Sequence, residues 1–391
     1  MYHRLGDYIR EVNVRNRDLK VTEPMGINID KHFMPSVANV IGTDLSAYKL
    51  VCKNQFACNL MHVGRDEKIP MAMHEDDNPI IVSPAYFVFE IVDSSVETHG
   101  RASLQTRILP EYLMMWFRRP EFDRNAWFYT DADVRGGLDK DAFMDMRLPI
   151  PTIDRQREIV AEYETLSNRI RLNEQMIEKL EATAQALYRK MFVDGVDMEH
   201  LPEGWRRGKF TEVVNICGGG TPSTEEAEYW ESGEIPFYSP SDKTNFYYSL
   251  RTEKHITEKG LMHCSSKLYP ENTTFVTARG ATTGGLALTG CPMAMNQTCY
   301  ALVDKEKKSP FYIHQLALET MASLKNEAVG ATFEALVTKD FESTEIVIVP
   351  IELRNVFNEK AKVLYRNILL KQQENSKLTE LQSLLLARMG K

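Results

Sequence analysis

The chain has 391 residues, with 47 Lys and Arg against 55 Asp and Glu, for a net charge of −8. That length holds two domains of ordinary size, and the acidic balance argues against a protein that grips DNA through phosphate neutralisation alone. Six cysteines without a Cys-x-x-Cys pair speak against zinc; with no secretory signal and no run of about 18 apolar residues, a cytoplasmic protein with reduced thiols is expected.

Taken in order, Leu5-Gly6-Asp7-Tyr8-Ile9 starts the first domain, and residues 26–36, GINIDKHFMPS, read as a polar loop between short strands. Strand signals then dominate: residues 48–51, 56–66 and 80–91 are rich in β-branched and aromatic side chains. Pro110–Phe117 reads as a helix, because proline suits a first turn whose N–H has no partner in any case. Residues 1–150 are therefore expected to form a mixed α and β domain. Met71-Ala72-Met73 reads as core or turn packing.

Residues 143–191 return without a gap at 341–389. At a constant offset of 198, Phe143 matches Phe341, Ile153 matches Ile351, Leu166 matches Leu364, Ile170 matches Ile368, and Met191 matches Met389. Each copy opens on a short apolar, proline-bearing strand and continues as a charged segment with apolar residues at heptad spacing. In the first copy Ile159, Tyr163, Leu166, Ile170, Ile177, Leu180, Ala184, Leu187 and Met191 follow a four-three spacing broken once, at Asn173. A helix over 153–191 is about 58 Å long at about 1.5 Å per residue, far beyond the ordinary globular helix. Such length demands a partner, and the second copy supplies one, at residues 351–391. An antiparallel pair would bring Asn173 against its repeat counterpart Lys371, a polar layer that penalises slipped registers; the bland alternative is a seam residue that faces solvent.

After the first long helix, over residues 151–195, Asp194-Gly195 ends the coil, and Leu-Pro-Glu-Gly-Trp at 201–205 opens a second domain over 196–350. Gly218-Gly219-Gly220-Thr221-Pro222-Ser223 reads as a flexible loop. Residues 235–243 read as a strand ending in polar groups, and 275–285 as a strand running into a glycine-rich turn. Residues 310–324 read as a helix, and Met293-Ala294-Met295 as core or turn packing. The glycine run lacks the lysine of a P-loop, and no Gly-x-Gly-x-x-Gly opens a helix. Asp66-Glu67-Lys68 has no matching upstream acid to make a nuclease metal site.

In combination, residues 201–205, the Gly-Gly-Thr-Pro-Ser of 219–223, the Phe-Val-Thr-Ala-Arg-Gly of 275–280, Asn296-Gln297 and the junctions at Pro151 and Pro350 resemble the DNA specificity subunits of type I restriction-modification systems. Val63-Gly64-Arg65-Asp66 and Asn59-Leu60-Met61 are similar to one of that family's target-recognition classes, and the resemblance covers essentially the whole chain. It departs from the family pattern in having no Leu-Pro-x-Gly-Trp in the first half. The fold class implied is α+β: two mixed α/β target-recognition domains separated by two long antiparallel coiled-coil helices, with an internal pseudo-two-fold repeat. Each domain would read half of a split target in double-stranded DNA, and the helices would fix the gap. The resemblance implies no catalysis, no metal and no cofactor on this chain. Its partners would be two S-adenosylmethionine-dependent adenine methyltransferase subunits and, where present, motor nuclease subunits that use ATP and Mg.

Base reading needs paired donors and acceptors on loops free to enter a groove. Arg279, with Thr282 and Thr283 among Gly280, Gly284 and Gly285, fits; the alternative is a structural turn with an exposed arginine. Tyr238, Ser239, Ser241, Asp242 and Lys243 at a strand end, and Thr221 and Ser223 in the glycine loop, are further candidates. In the first domain the candidates are Asn28, Lys31, Ser36, Asn59, His62, Arg65 and Asp66, with a half-buried core histidine as the alternative for His62. Residues 1–150 hold 18 Lys and Arg against 22 Asp and Glu, a net of −4, so phosphate affinity is expected to come from partner subunits. A fused methyltransferase would need an Asn-Pro-Pro-Tyr-like or Asp-Pro-Pro-Tyr-like strand, which is absent. A coiled-coil scaffold with two protein-binding domains would carry the same repeat but bind no duplex.

Overall fold

The computed structural model describes residues 2–37, 42–61, 63–92, 107–130, 136–243, 247–327 and 335–390. Its contacts divide the chain into two compact units, one of Met1–Asn168 with Leu378–Lys391 and one of Arg169–Lys377. In chain order the first half holds β1 (Tyr2–Arg4), β2 (Ile9–Glu11), β3 (Pro24–Ile27), β4 (Phe33–Pro35), β5 (Lys49–Val51), β6 (Phe56–Cys58), α1 (Val63–Asp66), β7 (Met71–Met73), β8 (Ile80–Val82) and β9 (Phe87–Ile91). It continues with α2 (Pro110–Phe117), α3 (Pro120–Phe128), α4 (Lys140–Asp145), β10 (Arg147–Pro149) and the 40-residue α5 (Ile153–Phe192).

The second half holds β11 (Arg206–Lys209), α6 (Phe210–Val213), β12 (Val214–Gly218), β13 (Ile235–Tyr238), β14 (Tyr248–Ser249), β15 (Lys254–Ile256), α7 (Glu258–Met262) and β16 (Thr274–Thr277). After it come β17 (Leu286–Thr289), β18 (Ala294–Met295), β19 (Cys299–Asp304), α8 (Pro310–Glu327), α9 (Thr338–Ser343), β20 (Glu345–Ile348) and the 38-residue α10 (Ile351–Arg388).

Each unit closes in the same way before its long helix begins. In the first, β1 pairs antiparallel with β10, Tyr2 opposite Pro149; in the second, β11 pairs with β20, Arg206 opposite Ile348. Pro149, Pro151 and Pro350 then end the ladder, because proline offers it no N–H. Helix takes over at once: Thr152 Oγ1 accepts from the Arg155 N–H at 3.4 Å, and the Pro350 carbonyl accepts from Leu353 and Arg354. Asp154 and Glu352 lie in the first turns and Arg189, Lys190 and Arg388 in the last, the polarity the helix dipole favours.

The first unit stacks an antiparallel sheet, β2-β9-β6-β7, and a mixed one, β4-β3-β8-β5, in which β3 and β8 run parallel. Its core is aromatic: Phe56, Phe89, Phe117, Phe122 and Phe143 are almost wholly buried, with the Phe56 and Phe89 rings stacked at 5.1 Å. Val160 of α5 and Leu386 and Met389 near the chain's end join that core. Residues 26–36, expected as a polar loop between short strands, lie largely in the β3–β4 hairpin, and 80–91 is two strands broken at Ser83–Tyr86 rather than one run. Met71-Ala72-Met73 is buried strand, as expected.

The second unit has a five-stranded sheet, β12-β19-β16-β17-β14, and a three-stranded one, β15-β13-β18. Ile177, Ala184, Tyr188 and Phe192 of α5 pack with Phe357, Ala361, Tyr365 and Ile368 of α10 and with Tyr312 and Leu316 of α8. The heptad seam therefore exists, yet it carries large aromatics, since here it also forms a wall of the unit's core. Among the described residues no helix is long and apolar enough to cross a membrane, no group of three or more His, Cys, Asp or Glu could hold a metal ion, and all six cysteines are free.

Candidate nucleic-acid interface

In the second unit the sequence-predicted loops converge on the turn at 296–298. Gly219 lies so close to it that a Cβ there would sit 2.0 Å from the Asn296 carbonyl oxygen, which requires glycine. Thr221 Oγ1 donates to Gln297 Oε1. The Asn296 N–H donates to the Tyr238 carbonyl at 2.9 Å, and the Ala278 N–H to the Thr298 carbonyl at 2.8 Å. The glycine loop, the end of β13 and the end of β16 are thus joined through one turn. The fourth partner is Lys243, whose Cε would lie 3.2 Å from a Cβ on Gly285.

Within this cluster the candidates divide by exposure. Thr221, Ser223, Ser241, Arg279 and Thr282 are exposed, with Arg279 just past β16 and held by a single bridge to Ala335. Thr283 Oγ1 donates to the Gly280 carbonyl at 2.6 Å, which closes the turn that presents Arg279. Asp242 is 7% exposed and serves the backbone: Oδ2 accepts from the Ser239 N–H and hydroxyl at 2.8 and 2.7 Å, and Oδ1 from the Glu253 N–H at 2.7 Å. Ser239 and Ser241 share a hydroxyl contact of 2.8 Å. Tyr238 is a core residue, 1% exposed with its ring 5.4 Å from that of Phe275, and burial pushes its phenol well above the ordinary value. Burial, with help from Lys325, holds the Lys243 ammonium below its usual range, which marks a half-sheltered cation.

In the first unit the hairpin turn and the segment after α1 meet on Asp123. Lys31, at φ 66 in the turn, is 4% exposed; its Nζ lies 2.8 Å from Asp123 Oδ1, donates to the Phe117 carbonyl and sits 5.1 Å from the Phe122 ring centroid. Burial lowers its pKa, and Asp123 opposes that shift. The Ile69 N–H donates to the same carboxylate oxygen at 3.2 Å. Lys31 is therefore an interior residue, and its ammonium is taken up by the fold. Asn28 accepts from the His32 N–H at 2.9 Å and shapes the turn, Ser36 is half-buried with its N–H on the Pro24 carbonyl, and Asn59 Oδ1 accepts from the Met61 N–H at 3.0 Å. Asp66 ends α1 and is half-buried. His62 and the side chain of Arg65 lie outside the described residues.

The helical pair corrects one expectation. Asn173, 1% exposed, donates to Asn375 Oδ1 at 2.8 Å, not to its repeat counterpart. Lys371 lies one turn away and bonds to Glu374 Oε2 at 2.9 Å, while Arg169 Nε bonds to Glu374 Oε1 at 2.7 Å. Gln297 is the residue that sequence reasoning missed as a site candidate. Its signal was present in the Asn296-Gln297 pair, but nothing local shows that an exposed glutamine would face Thr221.

Residues 202–380 match the family model for the type I restriction modification DNA specificity domain. The chain is 33% identical over 154 residues to the type I restriction enzyme MjaIX specificity subunit of Methanocaldococcus jannaschii, a match over 38% of this chain and 35% of that relative's length. It is 24% identical over 356 residues to the HindI specificity subunit of Haemophilus influenzae, covering 72% of this chain and 77% of the relative. The fold is similar to that of the type I restriction-modification system S subunit from M. genitalium, with TM-score 0.58, 11% identity and coverage of 100% and 96%. With the loops, the repeat and these relatives in agreement, residues 202–380 match a type I restriction modification DNA specificity domain, and the chain is similar to type I restriction enzyme specificity subunits.

Proposed function

We propose that the chain reads a bipartite target in double-stranded DNA, one half by each unit, and carries adenine methyltransferase subunits to it. The observation that carries this reading is the repeat at offset 198. It yields two units, each closed by the same strand pairing and each presenting polar loops suited to base edges. Direct contacts are assigned to Arg279, Thr282, Thr221, Ser223, Ser241 and Gln297 in the second unit, and to Asn28, Ser36 and Asn59 in the first. The chain supplies recognition rather than chemistry: S-adenosylmethionine belongs to the methyltransferase, and ATP with Mg to a motor nuclease where one joins.

Docking on the long helices is supported by α10, where Val356, Val363, Leu370 and Leu384 recur in heptad phase while 47 to 62% exposed. A stripe of that kind on an acidic protein suits apolar helices of a partner, and partner subunits would also supply the positive surface that phosphates need. The test is co-expression of the chain with its methyltransferase, followed by sequencing of methylated adenines. Two half-sites with a constant gap are expected, and exchange of residues 196–350 should change one half-site only. Methylation at an undivided site, or change in both halves, overturns the reading.

A further inference from the structure

We propose that Trp127, Phe128 and Tyr129 form a wedge that enters the base stack of the target DNA at one step beside the half-site read by the first unit. The inference rests on the DNA-reading function above and adds a group of residues that base-edge chemistry does not reveal. These three consecutive aromatics form the last turn and cap of α3, and they are 48, 79 and 57% exposed in a unit whose other large rings are mostly buried. The Phe128 and Tyr129 rings meet edge to face at 5.4 Å, so the tip is an organised projection.

Its mounting is rigid. Phe122, Asp123 and Ala126 of α3 are buried, and Asp123 is clamped by Lys31 and the Ile69 N–H. Its position points to DNA. Thr130 bridges to Leu138, whose N–H donates to the Leu60 carbonyl at 2.8 Å, so the tip is tied beside the turn of Asn59 and Met61. Met61 is itself 44% exposed and extends the apolar surface. Charge adds to the match: Arg124, with 73% of its side chain exposed, lies three and four residues before Trp127 and Phe128 on the same helix face, and its 3.6 Å pair with Glu121 is an exposed, weak one that a phosphate can displace. A cation flanking exposed rings suits a phosphate next to an unstacked base; a protein-docking patch has no such requirement.

The test maps unstacked bases with permanganate for thymines and diethyl pyrocarbonate for purines, on target duplexes bound by the full chain with its co-expressed methyltransferase. With the wild type, one step other than the methylated adenine and its partner should be hyperreactive. With F128A that signal should fall to background, and target affinity should drop roughly ten- to hundred-fold, the range for loss of one stacked base. Affinity for unrelated DNA, set by phosphate contacts, should hold. F128L keeps an apolar wedge and should keep the signal. Unchanged reactivity in F128A overturns the wedge and leaves the DNA reading intact. Unchanged DNA affinity with loss of methyltransferase co-purification shows a protein dock instead. Absence of target-dependent binding by the wild type removes both.

Discussion

Lys31 and Arg279 look alike in the sequence, each a cation in a polar, loop-like stretch, and the structure separates them by burial. The Lys31 ammonium bonds to Asp123 in the interior, with side-chain exposures of 5 and 10%. Replacement by Met leaves a buried carboxylate unpaired, so K31M should cost about 3 kcal/mol of stability, read as a lower midpoint in urea at unchanged slope. A second change, D123L, should restore part of it. R279A should leave the midpoint unchanged and weaken binding to one target half. A lone R279A effect on stability, or a K31M protein as stable as the wild type, reverses the assignment. Sequence reasoning named both as DNA-binding candidates because burial is a property of distant chain: what encloses Lys31 is Phe117, Phe122 and Asp123, some ninety residues away. Tyr238 was misjudged for the same reason, since a tyrosine at a strand end becomes core only when Phe275 packs on it.

The long helices were legible because a repeat and a heptad pattern are both local signals, and α5 and α10 begin at Ile153 and Ile351, the repeat-matched positions. Their register was not legible. A repeat says which residues are equivalent, whereas packing decides which are opposite. With Asn173 opposite Asn375, equivalent positions of the two helices come level two residues further on, at Gln175 and Gln373, both of which are exposed. N173L alone should destabilise by about 1 to 2 kcal/mol, because it leaves the Asn375 amide poorly paired in the seam, and N173L with N375L should recover that loss or exceed it. A double mutant weaker than the sum of the singles would show that the asparagine pair stabilises beyond its register role. Deeper in the same seam Glu181 is 1% exposed, with Oε1 taking bonds from Gln315 at 3.2 Å and Tyr365 at 3.3 Å and Oε2 unpartnered. Burial raises its pKa above the usual carboxylate value. A raised acid pKa means the folded state holds the proton more tightly, so this group's contribution is full below pH of about 4.5 and declines as pH rises toward the folded value. E181Q should therefore stabilise the fold at neutral pH by about 1 kcal/mol, read as a higher unfolding midpoint, and the gain should vanish on acidification. A gain independent of pH would show that the Glu181 carboxyl holds its proton equally well in the folded and the unfolded chain.

At the scale of the molecule, among the described residues the two long helices are the elements divided between both units: residues 153–168 and 378–388 belong to one and 169–192 and 351–377 to the other. Under the proposed function their length should set the gap between half-sites, a claim the repeat suggests but no single side chain carries. Seven residues are two turns, so removing seven from α5 and the matching seven from α10 keeps the seam in phase and shortens each helix by roughly 10 Å. At 3.4 Å per base pair, that is about three base pairs. Shortening the gap by three also turns the duplex by about a third of a turn, so recognition loops would meet the groove at a new angle and modification should be slower as well as displaced. Sequencing of methylated adenines should then report the same two half-sites, because the loops at 219–223, 239–243 and 279–285 are untouched, separated by a shorter gap. Removing five residues from each helix instead leaves the seam about 140° out of phase and apolar residues facing water, so it should lower the melting temperature before it yields any new spacing. Unchanged spacing after the seven-residue deletion would mean that the gap is set by the DNA's own deformation or by the partner subunits, and the helices would then be docking surfaces alone.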